Sequence, residues 1–202
     1  GFVILASLFE DFTRRCVPEG LQNFVDLEPD ALEALHQKLL ECPVSGTELQ
    51  PMRRAYRRFG GRIAVRSSYV GEDGSKDSYA GQLESVLGVE GEADFVEAVR
   101  RVYASRFRCE LASYRSARGR GTEASNGGAM SVLVQRMLDP VAGGVAFSAD
   151  PVSGRRTVII ESTAGLGDRV ADGSVTPQRH VVDARGVVTR TEIEGGRDAL
   201  LD

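Results

Sequence analysis

The hydrophobic rhythm of this chain changes partway along it, and that change limits the fold more than any single residue. Up to residue 118 the apolar side chains recur mainly at helical spacing. From residue 129 on they come in short strand-like runs divided by turn residues. Leu8, Phe9 and Phe12 form the first helical stripe, which Val17-Pro18-Glu19-Gly20 breaks. Pro29-Asp30 opens a second helix with Leu32, Leu35 and Leu39 on one face. A third carries Leu49, Met52, Tyr56 and Phe59 and stops at Gly60-Gly61. The first 60 residues therefore read as helical. Arg62 to Ser68 alternates as a strand and runs into a polar loop from Tyr69 to Gly81, and Gln82 to Val89 reads as another strand. Phe95, Val99, Val102, Tyr103, Phe107, Leu111 and Tyr114 make the longest helical stripe, a core face. Beyond the Gly-, Ser- and Thr-rich stretch Gly119 to Gly128, strand-like runs follow at Met130–Met137, Gly144–Phe147, Val158–Glu161, His180–Asp183 and Val187–Ile193. Helices segregated from strands in this way predict an α+β fold. The expected division is a helical, mixed α/β part over 1–118, a flexible linker or loop at 119–128, and a β-rich lobe over 129–202.

Composition narrows the function classes. Across 202 residues, 25 Lys and Arg stand against 29 Asp and Glu, a net charge of −4 that argues against a binder of nucleic-acid backbones. No apolar run reaches the roughly 20 residues of a membrane helix. The opening Gly1-Phe2-Val3-Ile4-Leu5 has neither Met nor a basic region, so it reads as a chain cut in mid-stream rather than as a signal peptide. Cys16, Cys42 and Cys109 are odd in number, widely separated and without CxxC spacing. The expectation is therefore no disulfide, no zinc site and a reducing cytoplasm. His36 and His180 leave little room for histidine chemistry.

Few residues point to chemistry by themselves. Arg66 at the end of a predicted strand, followed by Ser67, Ser68 and a glycine-bearing loop, has the makings of a phosphate site. The guanidinium offers planar charged donors, loop N–H groups supply more, and Gly81 lets the backbone approach closely. A surface arginine beside a turn explains the same residues. Arg53, Arg54, Arg57 and Arg58 form either an anion-binding surface or a solvated helix face. Gly165-Leu166-Gly167-Asp168 is a bare GxG turn, short of a dinucleotide fingerprint. GxxxxGK[ST], GxSxG, HExxH and DxDxDG motifs are all absent.

Several segments taken together say more. VRSSYVGEDGSKDSYAGQLESVLGV (Val65 to Val89) resembles the VRSSA-x-x-ED and SFAGQ segments of the nucleotide-binding domain in the phosphoenolpyruvate synthase and pyruvate phosphate dikinase family. MSVLVQRMLDPVAGGVAFSADPVSG (Met130 to Gly154) is similar to the family's VVVQKM…SGV-x-FT-x-x-P-x-[ST]G stretch. IIESTAGLGDRVADGSVTPQRHVVD (Ile159 to Asp183) is similar to its IEAS-x-GLGE-x-VVSG-x-VTPD-x-YVVD stretch, and GFVILASLFEDF to its GFVIT…F segment.

The resemblance implies an ATP-grasp-like fold, here an incomplete domain, that binds ATP and magnesium between two lobes. Arg66 matches the arginine that contacts the ATP phosphates and carries the catalytic expectation, with Ser67 beside it. Gly81 matches the glycine whose backbone lies against the phosphates, and Ser85 a hydroxyl position beyond it. Gln135 and Met137 match the segment passing the adenine. Glu161 and Asp168 hold acidic positions of the family, Glu161 being the one expected at the cofactor; none of these residues is expected as a direct metal ligand. His180 stands where the family has Tyr, which argues against catalysis by it.

By the same resemblance the partners are ATP and two other domains of a parent chain, one bearing the phosphorylated histidine and one binding the acceptor. The family's GGKG-x-x-L stretch, its IE[WF] strand and its Q-x-RP motif have no counterpart here. Each missing charged contact is worth about 1.5–3 kcal/mol, so the expectation is weak ATP affinity and no turnover by this chain alone. The acceptor implied is pyruvate. A rifamycin, a glucan, or a non-catalytic binding module are the alternatives. Tyr69-Val70-Gly71, where the family has Ala-Thr-Ala, keeps the last of these open.

Overall fold

A computed structural model describes residues 1–17, 29–69, 73–74, 77–78, 83–108, 130–183 and 185–192. The predicted linker 119–128, Gly81, Cys109, Leu111 and Tyr114 lie outside the described residues. The chain divides into two compact units, Gly1–Met137 and Leu138–Asp202. The fold is mixed α+β with antiparallel sheets. Among the described residues no helix is long and apolar enough to cross a membrane.

The first unit carries a four-stranded sheet in the order β1-β6-β2-β5, formed by β1 (Phe2–Ile4), β2 (Ile63–Tyr69), β5 (Ser85–Val89) and β6 (Met130–Arg136). Two-residue strands β3 (Asp73–Gly74) and β4 (Asp77–Ser78) pair with each other inside the stretch expected as a loop. Strand β6, which the sequence pattern groups with the back of the chain, is hydrogen-bonded to both β1 and β2.

Strand β1 corrects the expectation that the first 60 residues are helical throughout. Phe2, Val3 and Ile4 pair with Val134, Leu133 and Val132. Three residues carry too little period to distinguish strand from helix, and a partner more than 120 residues away in sequence decides the matter.

The four helices α1 (Ala6–Cys16), α2 (Pro29–Glu41), α3 (Gly46–Phe59) and α4 (Glu92–Ala104) follow the predicted stripes. Helix α3 begins with a capping box: Ser45 Oγ accepts from the Glu48 N–H, and the Glu48 carboxylate accepts from the Ser45 N–H at 2.6 Å. It ends at Gly60, whose φ of +65° suits a residue without a side chain. Helix α4 passes into a 3₁₀ turn at Ser105–Phe107, so the long predicted stripe is real as far as Phe107. Phe95, Val99, Val102 and Phe107 are all at most 1% exposed and pack with Ile63, Val65, Val132 and Val134 in one core. Phe95 stacks on Tyr56 at 5.2 Å and meets the edge of Phe2 at 6.0 Å.

The expectation of no disulfide is also corrected: Cys16 and Cys42 are bonded, with their Cα atoms 6.0 Å apart. A separation of 26 residues and the lack of a CxxC motif concealed the pair. Packing brings the end of α1 beside the turn that follows α2, where Arg15 Nη2 donates to the Pro43 carbonyl at 2.7 Å and to Glu48 at 2.9 Å.

The second unit holds a sheet in the order β10-β9-β8-β7, built from β7 (Ala142–Phe147), β8 (Val158–Ala164), β9 (Gln178–Val182) and β10 (Val188–Glu192). One short helix, α5 (Asp168–Ala171), follows β8.

Candidate functional site

Cross-strand partners share a face of a sheet, and residues two apart along a strand return to it. Register therefore decides which predicted site residues can act together. Arg66 on β2 stands opposite Ser85 on β5 and Leu133 on β6. Ala64, two residues before Arg66, stands opposite Gln135, and Ser68, two residues after it, opposite Ser131. One face of the first sheet thus presents Arg66, Ser85 and Gln135, all exposed. The other face holds Ile63 and Val65 with Val132 and Val134, and the helices cover it. Among the described residues no ion pair engages Arg66. An arginine held at strand geometry, with its charge paired by no described residue, suits an anionic ligand.

The remaining candidates divide around that face. Ser67 pairs with Val132 and so carries the register of the helix-covered side, opposite to Arg66. Met137, half-buried, directly follows β6 and donates its N–H to the Arg62 carbonyl at 2.9 Å, which continues the β2–β6 edge past Gln135. Gly81 lies outside the described residues. Next to Gln135, Arg136 lies over the Phe59 ring at 5.2 Å and donates to the Phe59 carbonyl.

Glu161 belongs to the second unit, on β8, and pairs with Val145 on β7 and Arg179 on β9. Sequence reasoning passed over Arg179, yet it gathers the acidic groups of this sheet. Its guanidinium lies 3.7 Å from Glu161, 3.9 Å from Asp150 and 3.9 Å from Glu192. Strand register sets Glu161 and Glu192 beside Arg179, and the turn after β7 brings Asp150 to it, so no local motif could have revealed them. Asp150 is held by its own turn: its carboxylate accepts from the Val152 N–H at 2.9 Å and from Ser153 Oγ at 2.5 Å. The Ser153 hydroxyl, then the Val152 N–H, keep that carboxyl below its ordinary range.

Asp168 opens α5 after the Gly165-Leu166-Gly167 turn. That turn lies backbone to backbone against β7. A Cβ on Gly167 would come within 2.4 Å of the Gly144 nitrogen, and one on Gly143 within 2.4 Å of the Gly167 nitrogen. Close packing at Gly167 and a φ of +81° at Gly165 account for the GxG without a ligand. His180 half-faces solvent, with Nδ1 3.1 Å from Thr191 Oγ1.

The fold defines a class: an α+β chain of two units whose first sheet turns one face to helices and carries Arg66, Ser85 and Gln135 exposed on the other. Residues 1–196 match the family described as pyruvate phosphate dikinase, AMP/ATP-binding domain, and the chain belongs to that family. It is 37% identical to a probable phosphoenolpyruvate synthase of Staphylothermus marinus, over 91% of this chain and 24% of that protein. It is 36% identical to the phosphoenolpyruvate synthase of Aeropyrum pernix, over 90% of this chain and 24% of that one. A rifampicin phosphotransferase of Streptomyces sviceus is 40% identical over 85% of this chain and 20% of its own length. The chain thus spans about a quarter or less of the length of these relatives.

Proposed function

We propose that this chain binds ATP for a phosphoenolpyruvate synthase-like dikinase, in which ATP phosphorylates a histidine on a separate domain that carries the phosphoryl group to pyruvate. The observation that carries this reading is the register bringing Arg66, Ser85 and Gln135 onto one exposed sheet face. On it, Arg66 offers charge-assisted hydrogen bonds to phosphate oxygens, while the Ser85 hydroxyl on the neighbouring strand supplies a neutral donor. Gln135 and Met137, at the far end of the same strand pair, suit a purine: an amide matches its polar edge and a thioether its face. The backbone at Gly81 completes the phosphate contacts, with Ser67 acting through its main chain. Family membership supports an ATP-grasp-like fold.

Magnesium enters with ATP, held by phosphate oxygens and water. Glu161 already faces the Arg179 guanidinium at 3.7 Å, which does not fit a direct magnesium ligand. Its role is to balance the Arg179 charge within its own sheet. The net charge of −4 and the kinship with metabolic enzymes support a cytoplasmic protein acting on small molecules rather than on nucleic acid or membrane.

Thermal melting with and without Mg-ATP tests the reading. At about 100 times its dissociation constant, ATP adds roughly 2.7 kcal/mol, a rise on the order of 5–10 °C for a chain of this size. The rise is expected to vanish in Arg66→Ala while the ligand-free melting stays within about 2 °C, as for a surface substitution. An undiminished shift in that variant would remove the phosphates from this face. A second acceptor, a rifamycin, is favoured by the 40% identity to a rifampicin phosphotransferase. ATP consumption by the whole protein with pyruvate or with a rifamycin separates the two.

A further inference from the structure

We propose that Cys16 and Cys42 are a reversible thiol–disulfide site, in which Cys42 captures one sulfur of a small-molecule disulfide and Cys16 resolves it. The inference is independent of ATP binding. Three features of the first unit carry it. The two sulfurs have different exposure: Cys16 is 6% exposed at the end of α1, whereas Cys42 is half-buried at the surface. Their Cα atoms stand 6.0 Å apart, within disulfide range. Their closeness does not depend on the bond, because Arg15 holds both sides. It precedes Cys16 in α1 and donates to the Pro43 carbonyl and the Glu48 carboxylate, which follow Cys42 in the chain.

Arg15 also bears on reactivity. Its Nη1 lies 3.6 Å from Cys42 Sγ. In the reduced chain a guanidinium at that distance favours the thiolate, the form that attacks disulfides. In a reducing compartment a cysteine pair so arranged is a redox-responsive site rather than a permanent staple.

The step balances as follows. The Cys42 thiolate attacks R–S–S–R, forms Cys42–S–S–R and expels R–S⁻. Cys16 then loses its proton to water, and its thiolate attacks Cys42 Sγ and expels the second R–S⁻. The two cysteines lose two electrons and two protons, and the small disulfide is reduced to two thiols. The bond joins residues 26 apart in the chain. The oxidised form is expected to melt on the order of 5–10 °C above the reduced form.

Glutathione is the probe, with Cys109→Ser as background. Reduced protein treated with glutathione disulfide is expected to lose two hydrogens by intact mass, and millimolar reduced glutathione to reverse the change in the folded state. Cys16→Ser should accumulate glutathione on Cys42, whereas Cys42→Ser should capture it far more slowly on Cys16. Arg15→Gln should slow capture about tenfold and Arg15→Lys less. If Arg15→Gln does not fold, added salt should slow capture in the parent chain in the same sense. Failure to form the internal bond, a bond that reduced glutathione leaves intact, or equal capture in the two serine variants would each overturn the proposal.

Discussion

The two units reach order by different physics. In the first, side chains from four helices and a sheet bury Phe12, Leu39, Phe95, Val102 and Val134 to 1% exposure or less. In the second, Ile159 is the one hydrophobic residue among those described that falls to a few per cent, while Leu138, Val141 and Val152 are 74–89% exposed. What organises the second unit is backbone pairing, glycine contacts too tight for a side chain, and the charges around Arg179. A helix-covered sheet draws its stability from apolar burial. A sheet of this second kind depends on steric exactness at a few positions. The exposed residues Arg66, Ser85 and Gln135 proposed to meet ATP sit on the unit with the core, where strand register is held by the packing beneath.

Substitutions can break this contrast. Phe95→Ala removes a fully buried ring and should cost about 3–5 kcal/mol in urea unfolding of the first unit. Gly144→Ala places a Cβ 1.9 Å from the Glu161 carbonyl oxygen, which is backbone and cannot step aside. It should open β7 from β8 at a cost of about 3 kcal/mol or more, the range of other steric defects. Hydrogen exchange is expected to lose protection along β7 and β8 while β2 and β6 keep theirs. Equal loss in both units would end the distinction between them.

Glu48→Gln probes the polar seam of the first unit. Burial pushes the Glu48 carboxyl up, but the Ser45 N–H and the Arg15 guanidinium outweigh it and hold it below its ordinary 4.5. Because the folded value is depressed, this stabilisation is present above about pH 4.5 and is lost as pH falls through the folded value. The variant should lose about 1–2 kcal/mol near neutrality and show a flatter stability profile in acid. Tyr103→Phe should have the smallest effect and the opposite sign. The Tyr103 hydroxyl is buried without a partner among the described residues, and burial pushes its pKa well above 10. Deleting it should raise stability by up to about 1 kcal/mol. A fall in melting temperature would mean that an ordered water satisfies the hydroxyl.

Much of the architecture was legible in one dimension because helices write their period locally. The stripes Leu32/Leu35/Leu39 and Phe95/Val99/Val102, the stop at Gly60-Gly61, and the strands at Arg62–Ser68 and Met130–Met137 all appear where short-range spacing places them. The edge strand Phe2–Ile4 was not legible, since three residues carry no period. Arg66 and Gln135 could be singled out by their residue types and motifs, although nothing local says that they share a face.

Pairing across distance is settled only in three dimensions. Register sets Arg66 beside Ser85 and turns Ser67 the other way. It sets Glu161 and Glu192 beside Arg179, the turn after β7 adds Asp150, and helix packing brings Cys16 to Cys42. Residue order determines period, caps and turns, because those depend on neighbours within a turn of helix or a strand's pleat. Which distant groups meet depends on how elements satisfy their backbone hydrogen bonds and bury their apolar faces together, and that is decided only when the whole unit packs.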